Sequence, residues 1–145
     1  MKFRLIIDSE KEEELVATVH GRTALIDEIE SLISNHTGRI PGYGEEDIKM
    51  LSFSEIECIT VLEGKTYAID SQNRRYRLKQ RLYELEAMLP ASFIRINKSA
   101  LANKNALDRF AVTIAGSVDA VFQSGYREYV SRRCFAQIKR RLESK

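Results

Sequence analysis

The sequence predicts an α+β chain dominated by strands, in which a strand-rich domain with two helices follows a small strand–strand–helix extension. Three observations predict it. Apolar residues alternate with a period of two through much of residues 46–145, as they do in half-buried strands. Helical spacing occurs in only two places there. Gly38, Pro41, Gly42 and Gly44 separate this stretch from the N-terminal one, close to where the charge balance changes sign. The boundary is therefore placed near residue 45, giving an extension over 1–45 and a domain over 46–145.

In the extension, Phe3, Leu5 and Ile7 alternate with Lys2, Arg4 and Ile6 and predict a short strand. The acidic run at Glu10–Glu14 suits a turn, and Leu15, Val16, Thr18 and Val19 suit a second strand or a helical turn. From Thr23 to about Asn35 the period is helical, with Leu25, Ile29, Leu32 and Ile33 on one face. In the domain, Phe53–Ile56 reads as a short helical turn or bend. Cys58–Leu62 and Thr66–Ile69 flank Glu63–Gly64–Lys65, a hairpin with glycine at its tip. Asp70–Asn73 forms a second turn before Arg74–Leu78. Leu78, Leu82, Leu85 and Leu89 recur at helical spacing until Pro90. Phe93–Ile96 is a compact apolar strand, with two alternating runs beyond it, Phe110–Ile114 and Val118–Phe122. Ser124–Gly125 turns the chain into Tyr126–Val130, and a last helix begins after Ser131 with Phe135, Ile138 and Leu142 on one side.

The charge is uneven. Residues 1–50 carry 6 Lys and Arg against 11 Asp and Glu, whereas residues 51–145 carry 17 against 10. A basic half of this kind suits a polyanionic partner, although solvated surfaces also carry such asymmetry. Enzyme signatures fail in turn. Gly64–Lys65–Thr66 ends like a phosphate-binding loop, but Ile59 stands where that loop needs glycine. His20 and His36 have no neighbours at ligand or general-base spacing, and Cys58 falls inside a strand pattern that suits a core residue. No catalysis, metal or cofactor is expected. No run approaches a signal peptide or a membrane span, which leads to the expectation of a cytoplasmic protein.

The basic residues form distinct constellations. Ser131 is a good N-cap, so Arg132 and Arg133 occupy the first positions of the last helix. Cations there oppose the helix dipole, an arrangement that suits an arriving anion; pairing with acidic neighbours across the fold would also account for it. Lys139, Arg140 and Arg141 stand at the favourable end of the same helix and need no ligand to explain them. Asn97–Lys98–Ser99 form a polar exit from an apolar strand, suited either to an ordinary loop or to donors presented into a groove. Arg95, set between apolar neighbours, suits a structural ion pair. Arg74, Arg75 and Arg77 suit phosphate tracking or a charged strand that guards against pairing.

Together these segments resemble a LytTR-type DNA-binding domain. The resemblance is carried by Phe53-Ser54-Glu55-Ile56-Glu57-Cys58-Ile59, Gly64-Lys65-Thr66-Tyr67 and Leu82-Tyr83-Glu84-Leu85-Glu86. It continues through Phe93-Ile94-Arg95-Ile96-Asn97-Lys98-Ser99-Ala100-Leu101-Ala102-Asn103 and ends with Val130-Ser131-Arg132-Arg133. Ala100, Ala102 and Cys134 depart from the residues usual in the family. The resemblance implies loops that project from strands into successive major grooves of double-stranded DNA, often at paired direct repeats of a promoter. It marks Lys65, Asn97, Lys98 and Arg132 as base or phosphate contacts, with Arg133 in support. The segment before the domain is too short for a phosphorylated receiver, so the chain resembles the stand-alone branch. Control there is implied to come from protein partners, often a small inhibitory membrane protein, or from homodimerisation through the extension. The alternative is a protein-interaction module that keeps the fold but binds protein.

Overall fold

A computed structural model of the chain describes residues 1–143; the side chains at position 31 and at positions 34–37, which include His36, lie outside the described residues. Among the described residues the chain forms three α-helices, ten strands and two 3₁₀ turns. In order these are α1 (Ala24–Thr37), β1 (Arg39–Tyr43), β2 (Ile48–Ser52), a 3₁₀ turn at Phe53–Glu55, β3 (Ile56–Leu62), β4 (Lys65–Asp70), β5 (Arg75–Leu78) and α2 (Leu82–Met88). Next come β6 (Phe93–Asn97), β7 (Ala100–Asn103), a 3₁₀ turn at Lys104–Ala106, β8 (Leu107–Val112), β9 (Val118–Phe122), β10 (Arg127–Val130) and α3 (Arg132–Glu143).

The strands make two antiparallel sheets. One has seven strands in the order β2-β1-β5-β4-β3-β7-β6, and the other three in the order β10-β9-β8. The larger sheet is apolar on both faces of its central strands, which is why β3 is buried continuously from Ile56 to Thr60. On one face Ile59, Leu78, Phe93 and Leu101 pack with Leu82 and Leu85 of α2. On the other, Cys58, Ile96, Ala100 and Ala102 pack with Ala120, Phe122 and Val130 of the small sheet and with Phe135 and Ile138 of α3. The small side chains of Ala100 and Ala102 thus sit in a fully buried layer between the sheets.

Polar residues tie the layers together. Asn103, completely buried, donates from Nδ2 to the Ile56 carbonyl (2.9 Å) and accepts the Asn105 N–H at Oδ1 (3.1 Å). The buried Glu57 carboxylate accepts the Ser124 N–H (3.1 Å) and the Ser124 hydroxyl, joining the β9–β10 turn to β3.

The strand-dominated domain with two helices takes the form the sequence predicts, and a helix precedes it. Two details of the extension differ. Residues 2–7 and 15–19, expected as strands, carry no strand here, and residues 1–23 are exposed throughout. Their alternation faces no apolar partner: the Asp8–Lys11 turn forms, with Asp8 Oδ1 accepting the Glu10 N–H (3.1 Å), but it leads into Glu12–Glu14. Conversely, Arg39–Tyr43, expected as a breaker, is a strand paired with β2 along its length and with β5 through Tyr43 and Arg77. It lies ahead of residue 45 and its Ile40 is only 1% exposed.

Candidate nucleic-acid interface

Three turns meet at one edge of the molecule, and backbone hydrogen bonds hold them there. The β3–β4 turn is closed by Glu63 and Gly64, both at positive φ (52° and 77°), with Leu62 opposite Lys65. That two-residue geometry requires left-handed backbone at both positions, which glycine adopts without strain. Lys65 therefore begins β4 at the hairpin end, exposed to solvent. One strand over, the Val61 N–H donates to the Ser99 carbonyl (2.8 Å), locking this hairpin to the β6–β7 turn.

The β6–β7 turn is organised by Asn97. Its Oδ1 accepts the Ser99 N–H (2.7 Å) and its Nδ2 donates to the Tyr129 carbonyl (2.6 Å). Asn97 is only 8% exposed, so both polar ends of its side chain are engaged within the fold. Lys98, at the tip, is exposed. Arg95 braces the turn from below, pairing with Glu86 through Nε (2.9 Å) and donating from Nη1 to the Lys98 carbonyl (2.8 Å).

The third turn starts α3. The register of β6 against β7 shifts between Arg95 and Asn97, a bulge at Ile96, and the Ile96 carbonyl accepts the Ser131 N–H (2.9 Å). Ser131 caps the helix as its residue type suggests, its Oγ accepting the Cys134 N–H (3.2 Å). Arg132 and Arg133 come next, both exposed. Being consecutive on a helix they diverge by about 100° and address different clefts. Arg133 lines a cleft of about 710 Å³ with Lys98, Ser99, Tyr129 and Cys134. Arg132 lines a neighbouring one of about 550 Å³ with Tyr129, Phe135 and Lys139, beside the β8–β9 turn.

Of the residues marked in the sequence, the structure brings Lys98 and Arg133 to one cleft, places Arg132 at the next, and sets Lys65 on the adjoining hairpin. None of these four cations makes an ion pair among the described residues. Asn97 stands beneath them. Two residues went unmarked. Lys139 shares a cleft with Arg132 because it lies seven positions further along α3 on the same face, a spacing visible in the sequence. Tyr129 stands half-exposed between both clefts; its alternation with the buried Val130 was the available signal.

The family model that matches the chain, the LytTr DNA-binding domain, covers residues 46–143. The chain belongs to the LytTR DNA-binding domain family. Among its curated relatives, an uncharacterized HTH-type transcriptional regulator of Staphylococcus aureus strain MW2 is 32% identical over 148 residues, spanning 98% of each chain. Another from strain COL is 31% identical over the same share. Among solved structures, the LytTr DNA-binding domain of a Bacillus cereus protein described as a methyl-accepting/DNA response regulator matches with a TM-score of 0.66. That match has 21% identity and covers 74% of this chain and 98% of that one, and it agrees with the fold. The relatives' names refer to helix-turn-helix regulators, yet no two of the described helices here are consecutive: β6 to β10 separate α2 from α3.

Proposed function

We propose that the chain is a transcription regulator that binds double-stranded DNA sequence-specifically, entering major grooves with turns that project from its sheets. One observation carries this. Three turns remote in sequence are hydrogen-bonded into a single edge, and each presents an exposed cation that makes no ion pair among the described residues, although Glu128 lines the cleft of Lys98 and Arg133. Uncompensated cations at the N-terminus of α3 oppose the helix dipole, a cost that an arriving phosphate or guanine edge would offset. Arg132 and Arg133 have the forked geometry that matches guanine N7 and O6, whereas Lys65 and Lys98 suit phosphates. Asn97 takes a positioning role, since its donors and acceptor hold the Lys98 turn against β10. Family membership and the relatives' names support this function, and promoter direct repeats are the expected targets.

The extension is the proposed site of control, through self-association or a partner such as a membrane-bound inhibitor. Its exposed Phe3, Leu5, Ile7 and Val16 support this, as does the match of the relatives along 98% of this chain.

The test is selection from a random duplex library at near-physiological salt, with a Lys98→Ala/Arg132→Ala variant in parallel. Enrichment of a short motif that the variant cannot select is the expected result. Binding without a motif that disappears as salt rises would overturn it. Arg132→Ala alone is expected to cost about 1–3 kcal/mol more on the selected motif than on scrambled DNA; equal losses would reduce Arg132 to a phosphate contact.

A further inference from the structure

The arginines of β5 are left unused by the loop edge, and the sheet register shows where they point. Tyr67 stands opposite Arg77, Ile69 opposite Arg75, and Tyr43 of β1 opposite Arg77. Paired residues share a face of a sheet, as do positions two apart on one strand. Lys65, Tyr67, Arg75, Arg77 and Tyr43 therefore lie on one face, and Lys79 comes after Arg77 at the same period. This is the face that the small sheet covers further along, where Ile69 joins the buried layer. Beyond that cover Arg75, Arg77 and Lys79 are exposed.

Their surroundings are aromatic. The Arg75 guanidinium lies 4.8 Å from the centre of the Tyr67 ring, and the Lys79 ammonium 4.8 Å from that of Tyr43. A ring face attracts a cation while leaving its other donors free. None of the three cations makes an ion pair among the described residues. Leu78 stands opposite Thr66, so Arg77 and Lys79 lie at the same end of the sheet as Lys65 and the β3–β4 turn. The basic face is thus continuous with the loop edge. Arg75 and Arg77 are about 6.8 Å apart along the strand, so the face asks for an extended array of negative charge.

We propose that this face binds the phosphate backbone of duplex DNA flanking the segment met by the loop edge, with Lys65 at the junction. The proposal rests on the DNA-binding function above and adds a contact that carries affinity without base specificity.

The experiment compares the full-length chain with an Arg75→Gln/Arg77→Gln/Lys79→Gln variant, whose fold is checked by thermal melting. Each is titrated across a salt series with two duplexes that share the selected motif. One duplex ends at the motif, and the other extends by about one helical turn, roughly ten base pairs, on each side. The unaltered chain is expected to bind the longer duplex more tightly, with a salt slope steeper by about 2–3, near 0.9 per phosphate. The variant should lose that gain while keeping its preference for the motif over scrambled DNA. Equal gains in both proteins, or none in the unaltered chain, would overturn the proposal. A change of assembly mass with DNA binding intact would also overturn it and assign the face to protein. Failure of the unaltered chain to prefer the motif would instead overturn the DNA-binding function itself.

Discussion

Two segments of this chain look alike in sequence and end differently. Phe93-Ile94-Arg95-Ile96 and Phe3-Arg4-Leu5-Ile6-Ile7 both have the apolar content and alternation of a short strand. The first becomes β6, pairs with β7 and builds the loop edge; the second is exposed, with Phe3 at 85% and Ile7 at 89%. Their C-terminal neighbours separate them. At the end of β6, Asn97 closes a turn into Ala100–Asn103, four buried residues that supply both ladder and packing partners. After Ile7 the chain turns into consecutive glutamates. Alternation creates a surface to be buried, and a strand forms only where the fold supplies its other side.

The sharpest test of this contrast is a pair of truncations. Removing residues 1–45 deletes β1 and the buried Ile40 and uncovers Leu51 and Tyr76, so urea unfolding should show a loss of about 3 kcal/mol or more. Removing residues 1–23 should change stability by no more than about 0.5 kcal/mol. Two small effects would mean that β1 contributes little and that the domain begins later than the sheet does.

A gentler comparison uses single residues. Asn97→Ala removes both bonds that seat the Lys98 turn and should cost about 1–3 kcal/mol. Leu5→Ala should be neutral to within about 0.5 kcal/mol. A concentration-dependent loss from Leu5→Ala would show instead that the extension is packed in solution against a second copy.

A further test uses pH. Burial first, then the charge of Glu128, raises the Tyr126 phenol above its ordinary range; burial, then Glu128 and Glu57, raises the Cys58 thiol. Both groups stay protonated in the fold while the unfolded chain begins to release those protons near about pH 8.5 and about 10. Stability is therefore complete below that range and falls as pH rises through it. Denaturation at several pH values should show the fall equally in the chain lacking residues 1–23, since both groups lie in the domain. An unchanged stability at pH 10 would mean that the region around Cys58 and Tyr126 opens readily.

Much of the domain was legible in local chemistry. The Glu63–Gly64 turn, the helical turn at Phe53 and the Ser131 cap are all set by neighbours within a few positions. The features that stayed hidden depend on partners far along the chain. The seating of the Asn97 side chain depends on the carbonyl of Tyr129, 32 residues away. β1 carries Pro41 and Gly42, which read as breakers. Pro41 is tolerated because β1 meets β5 only at Tyr43, leaving little ladder on that side to interrupt. Gly42 is needed for close approach: a Cβ there would fall 2.5 Å from Leu51 Cδ1 and 2.8 Å from Tyr76 Cβ.

The bonds from Val61 to Ser99, from Asn97 to Tyr129 and from Ser131 to Ile96 make the three projections parts of one stiff frame. A frame of this kind acts as a calliper with a fixed opening. Under the proposed function its tips would meet a double helix, and the adjustment of groove width and bend would fall on the DNA. Base pairs that no side chain touches would then contribute through how easily they deform, and an added base pair between contacted positions could not be absorbed by the protein. Part of the operator's sequence would therefore be written in its flexibility.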